Sequence, residues 1–398
     1  MKEKVKLSSR IWPIYYGLSD DLMFWAAINT LFLTRVKHLD AGQINLIMSL
    51  SVIVCFFGYF LINKIIEKIG ALKSIKIGNI LLLAASLLFT FLKSFNGILF
   101  GFIVYQIAFL FKSMDHIIIR NNLKYLGRED EFFSYVSKGT FIYSFITMLI
   151  ALISGFIFNL NNYLPMYIAI FCTLINVILM NFLTCDNDEK EAPTHKVKIN
   201  KIIIFVLIFY GLIYSSIEVA QTNTKLIMQF NMEEFLSNNK TVLYFSFILF
   251  LSRLFRVIGN LLFLKIFKIL KNKMSIILNV SLLISLLLIL FGDLYRHGFV
   301  GIILVALGFV ILLLLRDPTQ NYSKTLLLSR SLEKHHKKLS MYFFLARKLV
   351  NFTFNLIVSL ILLKLDLKYA IMFLIIIVTF TLYISISITK MVEDDITG

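Results

Sequence analysis

The chain is 398 residues long, 59% hydrophobic and only 16% charged, with a mean hydropathy of +0.83, whereas a soluble domain is about 45–50% apolar with about 25% charged residues. So much apolar surface excludes a single water-soluble core and makes lipid the solvent. The formal net charge of +17 would suggest nucleic acid in a soluble protein, but its distribution along this chain follows membrane topology instead.

Roughly 20 apolar residues are needed to cross a hydrocarbon core of about 30 Å. Blocks of that length predict spans over 13–34, 42–62, 74–93, 97–119, 137–159 and 163–184. The first block holds Asp20 and Asp21, lacks a small-residue cleavage site and runs straight into further spans, so it reads as a span and not as a signal peptide. A charged stretch with Pro193 then interrupts the pattern. Six more spans follow over 201–221, 241–264, 274–292, 297–315, 340–363 and 369–389. This divides the chain into an N-terminal six-helix bundle (1–184), a cytoplasmic linker (185–200) and a C-terminal six-helix bundle (201–398). Pro13, Pro165, Pro193 and Pro318 all fall at predicted boundaries, so the spans are expected to run largely uninterrupted apart from any glycine-based bends. The segments between them are too short to be folded catalytic domains.

With the N-terminus placed inside, inner segments carry roughly three times as many Lys and Arg residues as outer ones. That asymmetry predicts both termini in the cytoplasm of a multi-pass protein of the cell membrane. Cys55, Cys172 and Cys185 suggest neither a disulfide framework nor a metal site. No Gly-rich phosphate loop is present, so neither ATP hydrolysis nor any cofactor is expected. The Ile, Lys, Asn and Phe content suggests a bacterial source.

The loop between the second and third spans reads Asn63-Lys64-Ile65-Ile66-Glu67-Lys68-Ile69-Gly70-Ala71-Leu72-Lys73. It resembles the Gly-x-x-x-Asp-(Arg/Lys)-x-Gly-(Arg/Lys)-(Arg/Lys) loop of the major facilitator superfamily. Glu67 stands at the acid, Lys68 at the base and Gly70 at the second glycine, while Asn63 replaces the first glycine. With twelve spans and a central linker, the resemblance implies an all-α membrane protein of two pseudo-symmetric six-helix bundles. It also implies a gating role for Glu67, Lys68 and Gly70. The fifth span has two glycines and no proline, unlike the Gly-Pro-rich signature of drug:proton antiporters.

Charges within spans are costly and usually face a cavity. Asp20 and Asp21 lie about seven residues into the first span, and Lys112 lies as far from the inner end of the fourth, roughly 10 Å deep in each case. The family resemblance implies that spans one and four line the central path, and a carboxylate–lysine pair at matched depth there resembles an arrangement that couples protons to substrate. Helical spacing places Asp21, Trp25 and Asn29 on one face, and Tyr105, Ala108, Lys112 and Asp115 on another. Tyr210, Tyr214, Glu218 and Gln221 line the seventh span; Ser246, Arg253, Arg256 and Asn260 the eighth; Arg347, Asn351 and Asn355 the eleventh. Such stripes must face protein or water, although helix–helix glue accounts for many neutral members. Asp115, Arg120, Arg316 and Arg347 lie nearer the inner ends and suit gating, and His116 suits a structural role.

These features predict a non-enzymatic secondary transporter. The leading reading is proton-coupled export of a small organic solute by a monomer working by alternating access, with the bilayer as its other partner. Uptake of an anionic or zwitterionic metabolite is the alternative. A membrane-embedded transferase would need a site such as His335 and His336, and a non-transporting sensor would carry no flux.

Overall fold

A computed structural model of the chain describes residues 2–185, 201–270, 273–296, 298–330 and 336–397. The linker residues 186–200, His335 and the side chains of Asn260 and His336 lie outside the described residues. Among the described residues there are no strands, as expected where lipid cannot satisfy an open backbone. Among the described residues, eleven helical segments are long and apolar enough to span a bilayer. The twelfth span is the first one, and it is broken.

That span consists of α1 (Lys2–Ser19), an irregular stretch, α2 (Trp25–Leu31) and a π-helical turn over Phe32–Val36. The fourth predicted span is likewise split into α5 (Phe95–Lys112) and α6 (Asp115–Tyr125). The expectation of uninterrupted spans therefore fails at these two places, and side-chain competition for backbone groups accounts for both. Asp21 Oδ1 accepts from the Leu22 amide at 2.7 Å, and Phe24 takes a φ of 66° before α2 starts. Ser113 Oγ donates to the Leu110 carbonyl at 2.7 Å, tightening the end of α5.

Proline positions also differ from expectation. Pro13 lies inside α1, and Pro318 lies inside α12 (Phe299–Ser329). The tenth span thus continues past its predicted end and carries Arg316 and Asp317 within a helix. A missing proline N–H is tolerated where neighbouring groups cover the freed carbonyl.

Contacts divide the chain into two units. The first comprises Met1–Leu39 and Ser51–Ala192, the second Asp40–Leu50 and Pro193–Gly398. The helix α3 (Ala41–Ile69) is therefore shared, its opening turns packing in the second unit and the remainder in the first.

In the first unit, α4 (Ala71–Phe91) packs on α5 and on α8 (Leu164–Leu179), while α1 packs on α7 (Phe132–Leu160). Its core gathers Trp12, Tyr15, Ile75, Ile118, Ile119 and Leu123. Between α3 and α4 the chain turns at Gly70, where φ is 82° and ψ is 168°. Only glycine occupies that region without strain.

In the second unit, α9 (Lys201–Glu233) is the central element, touching α12, α13 (His336–Leu362) and α14 (Leu367–Thr397). Around it stand α10 (Asn238–Leu270) and α11 (Met274–Leu294). Polar side chains join these apolar helices: Asn279 Nδ2 donates to Thr381 Oγ1 at 2.9 Å and to Ser385 Oγ at 3.1 Å. The first turns of α3 are held the same way. Asn45 and Asn223 exchange amide hydrogen bonds of 3.0 and 3.2 Å, and Ser49 Oγ donates to the Phe352 carbonyl at 3.0 Å.

Candidate functional site

The two broken spans of the first unit meet at their breaks. Helix ends leave backbone carbonyls without intrahelical partners, and at the end of α1 two of these are met by side chains from other helices. Asn176 Nδ2 donates to the Leu18 carbonyl at 2.8 Å, and the Lys112 ammonium donates to the Ser19 carbonyl in a short bond. Lys112 is also the last residue of α5, so one buried cation sits at two helix C-termini, where the backbone dipole favours it.

Its carboxylate partner opens the next helix. Asp115 is the first residue of α6, a position that favours an anion, with Oδ2 3.9 Å from Lys112 Nζ. The Tyr15 hydroxyl donates to Asp115 Oδ1 at 3.3 Å and accepts from Asn79 Nδ2 at 2.6 Å. Trp12 Nε1 donates to the Asp115 carbonyl at 3.0 Å. Lys112 and Asp115 are 4% and 6% exposed, so both charges depend on these partners in place of water. Room for the lysine comes from Gly78, where a Cβ would come within 2.6 Å of Lys112 Cγ. The side-chain oxygens Ser19 Oγ and Asn79 Oδ1 are buried with no hydrogen-bond partner among the described residues.

The first-span acids face other groups. Asp21 Oδ1 accepts from the Tyr105 hydroxyl at 2.5 Å, while Asp20 faces the Tyr16 hydroxyl. The break separates Asp21 from the helix carrying Trp25 and Asn29, so these three do not form one helical stripe. Trp25 is 3% exposed and stacks on Phe89 with ring centroids 4.2 Å apart, an aromatic core contact. Asn29 Oδ1 accepts from the Thr30 amide at 2.9 Å. The break at Ser113 and Met114 likewise ends the stripe drawn from Tyr105 through Asp115. Glu67 and Lys68 are exposed at the end of α3, and Arg120 is exposed on α6.

A second cluster lies wholly within the second unit. Glu218 on α9 receives a forked pair from Arg347 on α13, Nε to Oε2 at 2.9 Å and Nη2 to Oε1 in a shorter bond. Asn351, one turn further along α13, adds Nδ2 to Oε2 at 3.1 Å. The Arg347 guanidinium lies 4.6 Å from the centre of the Tyr214 ring. Tyr214 donates its hydroxyl to Gln320 Oε1 and accepts from Arg316 Nε, both at 3.2 Å. Tyr210 stacks on Phe343 with centroids 3.5 Å apart. The stripe predicted on the seventh span thus gathers residues from α12 and α13.

Arg256 on α10 pairs bidentately with Asp317 on α12, at 2.7 and 2.6 Å. Arg253 lies half-buried one turn earlier. Sequence reasoning missed Asp317, Gln320, Tyr15 and Asn79 as site members. Asp317 was visible as a charge beside an apolar run, but the proline after it was read as ending the span. Tyr15 and Asn79 are ordinary polar residues in apolar helices, and only the packing of α6 on α1 and α4 brings them to Asp115.

A family model for the Major Facilitator Superfamily matches residues 17–321. No curated protein matches the chain. Among solved structures, the nucleoside transporter NupG superposes with a TM-score of 0.74 at 13% identity, covering 98% of each chain. The POT family transporter PepTSo gives a TM-score of 0.74 at 10% identity, covering 99% of this chain and 98% of its own. A bacterial homologue of the iron transporter ferroportin, in an inward-facing state, gives 0.66 at 14% identity and 98% coverage of both. At these identities the likeness is one of fold.

Proposed function

The chain belongs to the major facilitator superfamily of membrane transporters, and on that premise we propose that it is a proton-coupled exporter of a small organic solute working by alternating access. One observation carries the coupling: a buried Lys112–Asp115 pair sits where two interrupted spans meet, with Lys112 bound to the end of α1. A proton arriving at Asp115 cancels the charge that holds Lys112 in place. The lysine then keeps its bond to the Ser19 carbonyl without its nearest carboxylate, and the break in the first span is free to change geometry. Discontinuous helices put backbone groups and charges at the working level of many transporters, which suits this arrangement.

Asp20 and Asp21, joined to Tyr16 and Tyr105, border the same break and would meet the solute next to it. We place the protein in the cell membrane with both termini in the cytoplasm, on the charge asymmetry of its loops. The outward direction rests on the aromatic content of the chain, 15% of its residues, which suits amphipathic solutes that cells expel.

Trp12 and Trp25 are the chain's two tryptophans, and Trp12 is bonded to the Asp115 backbone. In a Trp25→Phe background, Trp12 emission is expected to shift with pH, and Asp115→Asn is expected to abolish the shift. In reconstituted vesicles, efflux of a panel of labelled organic acids, amines and neutral aromatics should depend on an imposed pH gradient and be lost in Lys112→Met. Efflux that ignores the gradient, together with a pH-insensitive Trp12, would sink the coupling.

A further inference from the structure

The second unit holds a cavity of about 130 Å³ between α9, α12 and α13, and we infer that it is a docking subsite for one oxyanion headgroup, a phosphate or carboxylate, of the transported solute. The inference rests on the transporter reading above and extends it to substrate class.

Four observations converge. The cavity is lined by Lys324 and Arg347 and by no carboxylate, so its lining charge is purely positive. Arg347 is held before any ligand arrives: Glu218 takes two of its five N–H donors, and the Tyr214 ring lies beneath the guanidinium. A pre-oriented arginine binds an oxyanion without the entropy loss of ordering a free side chain. Gln320 is turned the same way. Its Oε1 is occupied by the Tyr214 hydroxyl, which leaves the NH₂ group as the remaining hydrogen-bonding face of that amide. With the Ser340 hydroxyl, the polar lining therefore offers mainly donors, the complement of an oxygen-rich anion.

Size and shape narrow the ligand further. Pockets for whole drug-sized ligands run to about 300–1,000 Å³, so about 130 Å³ holds a headgroup and a few carbons. One wall is the face of the Tyr210–Phe343 stack, whose rings lie within 11° of parallel. A planar or short apolar group attached to the anion would rest there. Glu218 itself has Arg316 and Lys348 as charged neighbours besides Arg347, so counting it leaves the local balance cationic.

Phenyl phosphate, benzoate and inorganic phosphate serve as probes, with benzyl alcohol and benzyltrimethylammonium as controls. Binding to the purified full chain in phosphatidylcholine nanodiscs is read by calorimetry. Phenyl phosphate or benzoate is expected to bind, the controls are not, and Lys324→Gln and Gln320→Leu are each expected to weaken binding about tenfold. Both positions belong to the second unit and the Lys112–Asp115 pair to the first, so the pH response of Trp12 should persist in these variants and reports separately on the coupling. Repeating the titration in phosphatidylglycerol nanodiscs identifies the source of the anion. Competition there that is lost in Lys324→Gln assigns the same oxyanion site to a lipid headgroup. If none of the anions binds, or if binding is unchanged in both variants, the subsite is refuted while the coupling reading stands on its own test.

Discussion

Replacing Lys112 by methionine keeps most of its volume and removes the charge at the junction of α1, α5 and α6. At the 3.9 Å separation from Asp115, Coulomb's law with an effective dielectric of about 20 gives an attraction of about 4 kcal/mol. Breaking a buried pair by removing one partner costs about 3–5 kcal/mol, because the remaining charge stays buried. The Lys112→Met variant also strips the Ser19 carbonyl of its donor. Asp115→Leu removes the lysine's nearest carboxylate and frees the Tyr15 hydroxyl. The double variant buries neither charge, so its loss should fall short of the sum of the single losses by about 2–3 kcal/mol. Equilibrium unfolding in mixed detergent–SDS micelles, followed by Trp12 emission, measures all three. Additivity within about 0.5 kcal/mol would mean that the two residues do not act as a pair, and the coupling mechanism would lose its foundation.

Two further outcomes follow from the turns outside the spans. Lys37 is buried after the π-helical turn, donating to the Thr90 and Leu92 carbonyls at 2.9 and 2.7 Å. Burial and the nearby Lys93 push its ammonium down to about 8. The folded chain therefore gives up this proton at lower pH than the unfolded chain, whose lysine titrates near about 10.4. The unfolded state binds more protons across that window, so stability from this group rises with pH from about 8 to about 10.4, and its penalty is fully present below pH 8. The melting temperature of wild type minus that of Lys37→Met should climb between pH 7.5 and 9.5; a flat difference would contradict the assignment. At Gly70, the combination of φ 82° and ψ 168° lies in a region that alanine and asparagine both avoid, so either substitution should cost about 1–3 kcal/mol. Rescue by asparagine but not alanine would indicate a left-handed turn instead, and denaturant titration distinguishes the two.

Much of the architecture was legible from hydropathy, because a helix in lipid must be long, continuous and apolar to satisfy its own backbone. The same rule misled at the first and fourth spans. Hydropathy averages over a window, and it registers Asp21 or Ser113 as a small loss of apolarity, not as a side chain able to capture a backbone group. Pro318 misled in the opposite sense, since proline usually marks an end and here lies within α12. In the second unit the periodic stripe of Tyr210, Tyr214 and Glu218 was readable, being local to one helix. Its partners Gln320 and Arg347 come from α12 and α13, and no spacing along α9 encodes which residues of distant helices will face it. The Lys112 partnership shows the same limit. Matched depth suggested Asp20 or Asp21 as the carboxylate for Lys112; the fold adds Asp115, three positions along its own chain segment, and a backbone carbonyl.

The broken first span also bears on how the protein is made. A span inserts on its own when its apolar run outweighs its charges, and each Asp near the centre of a helix opposes insertion by about 2.5–3.5 kcal/mol. Here the run is divided into an amphipathic α1 and a seven-residue α2 with two acids between them. The groups that satisfy the break, Lys112 and Asn176, belong to helices synthesised later. This span is thus made before the groups that let it settle in lipid. The insertion machinery would have to shelter it until the fourth and sixth spans arrive, making the order of synthesis part of how this junction is assembled.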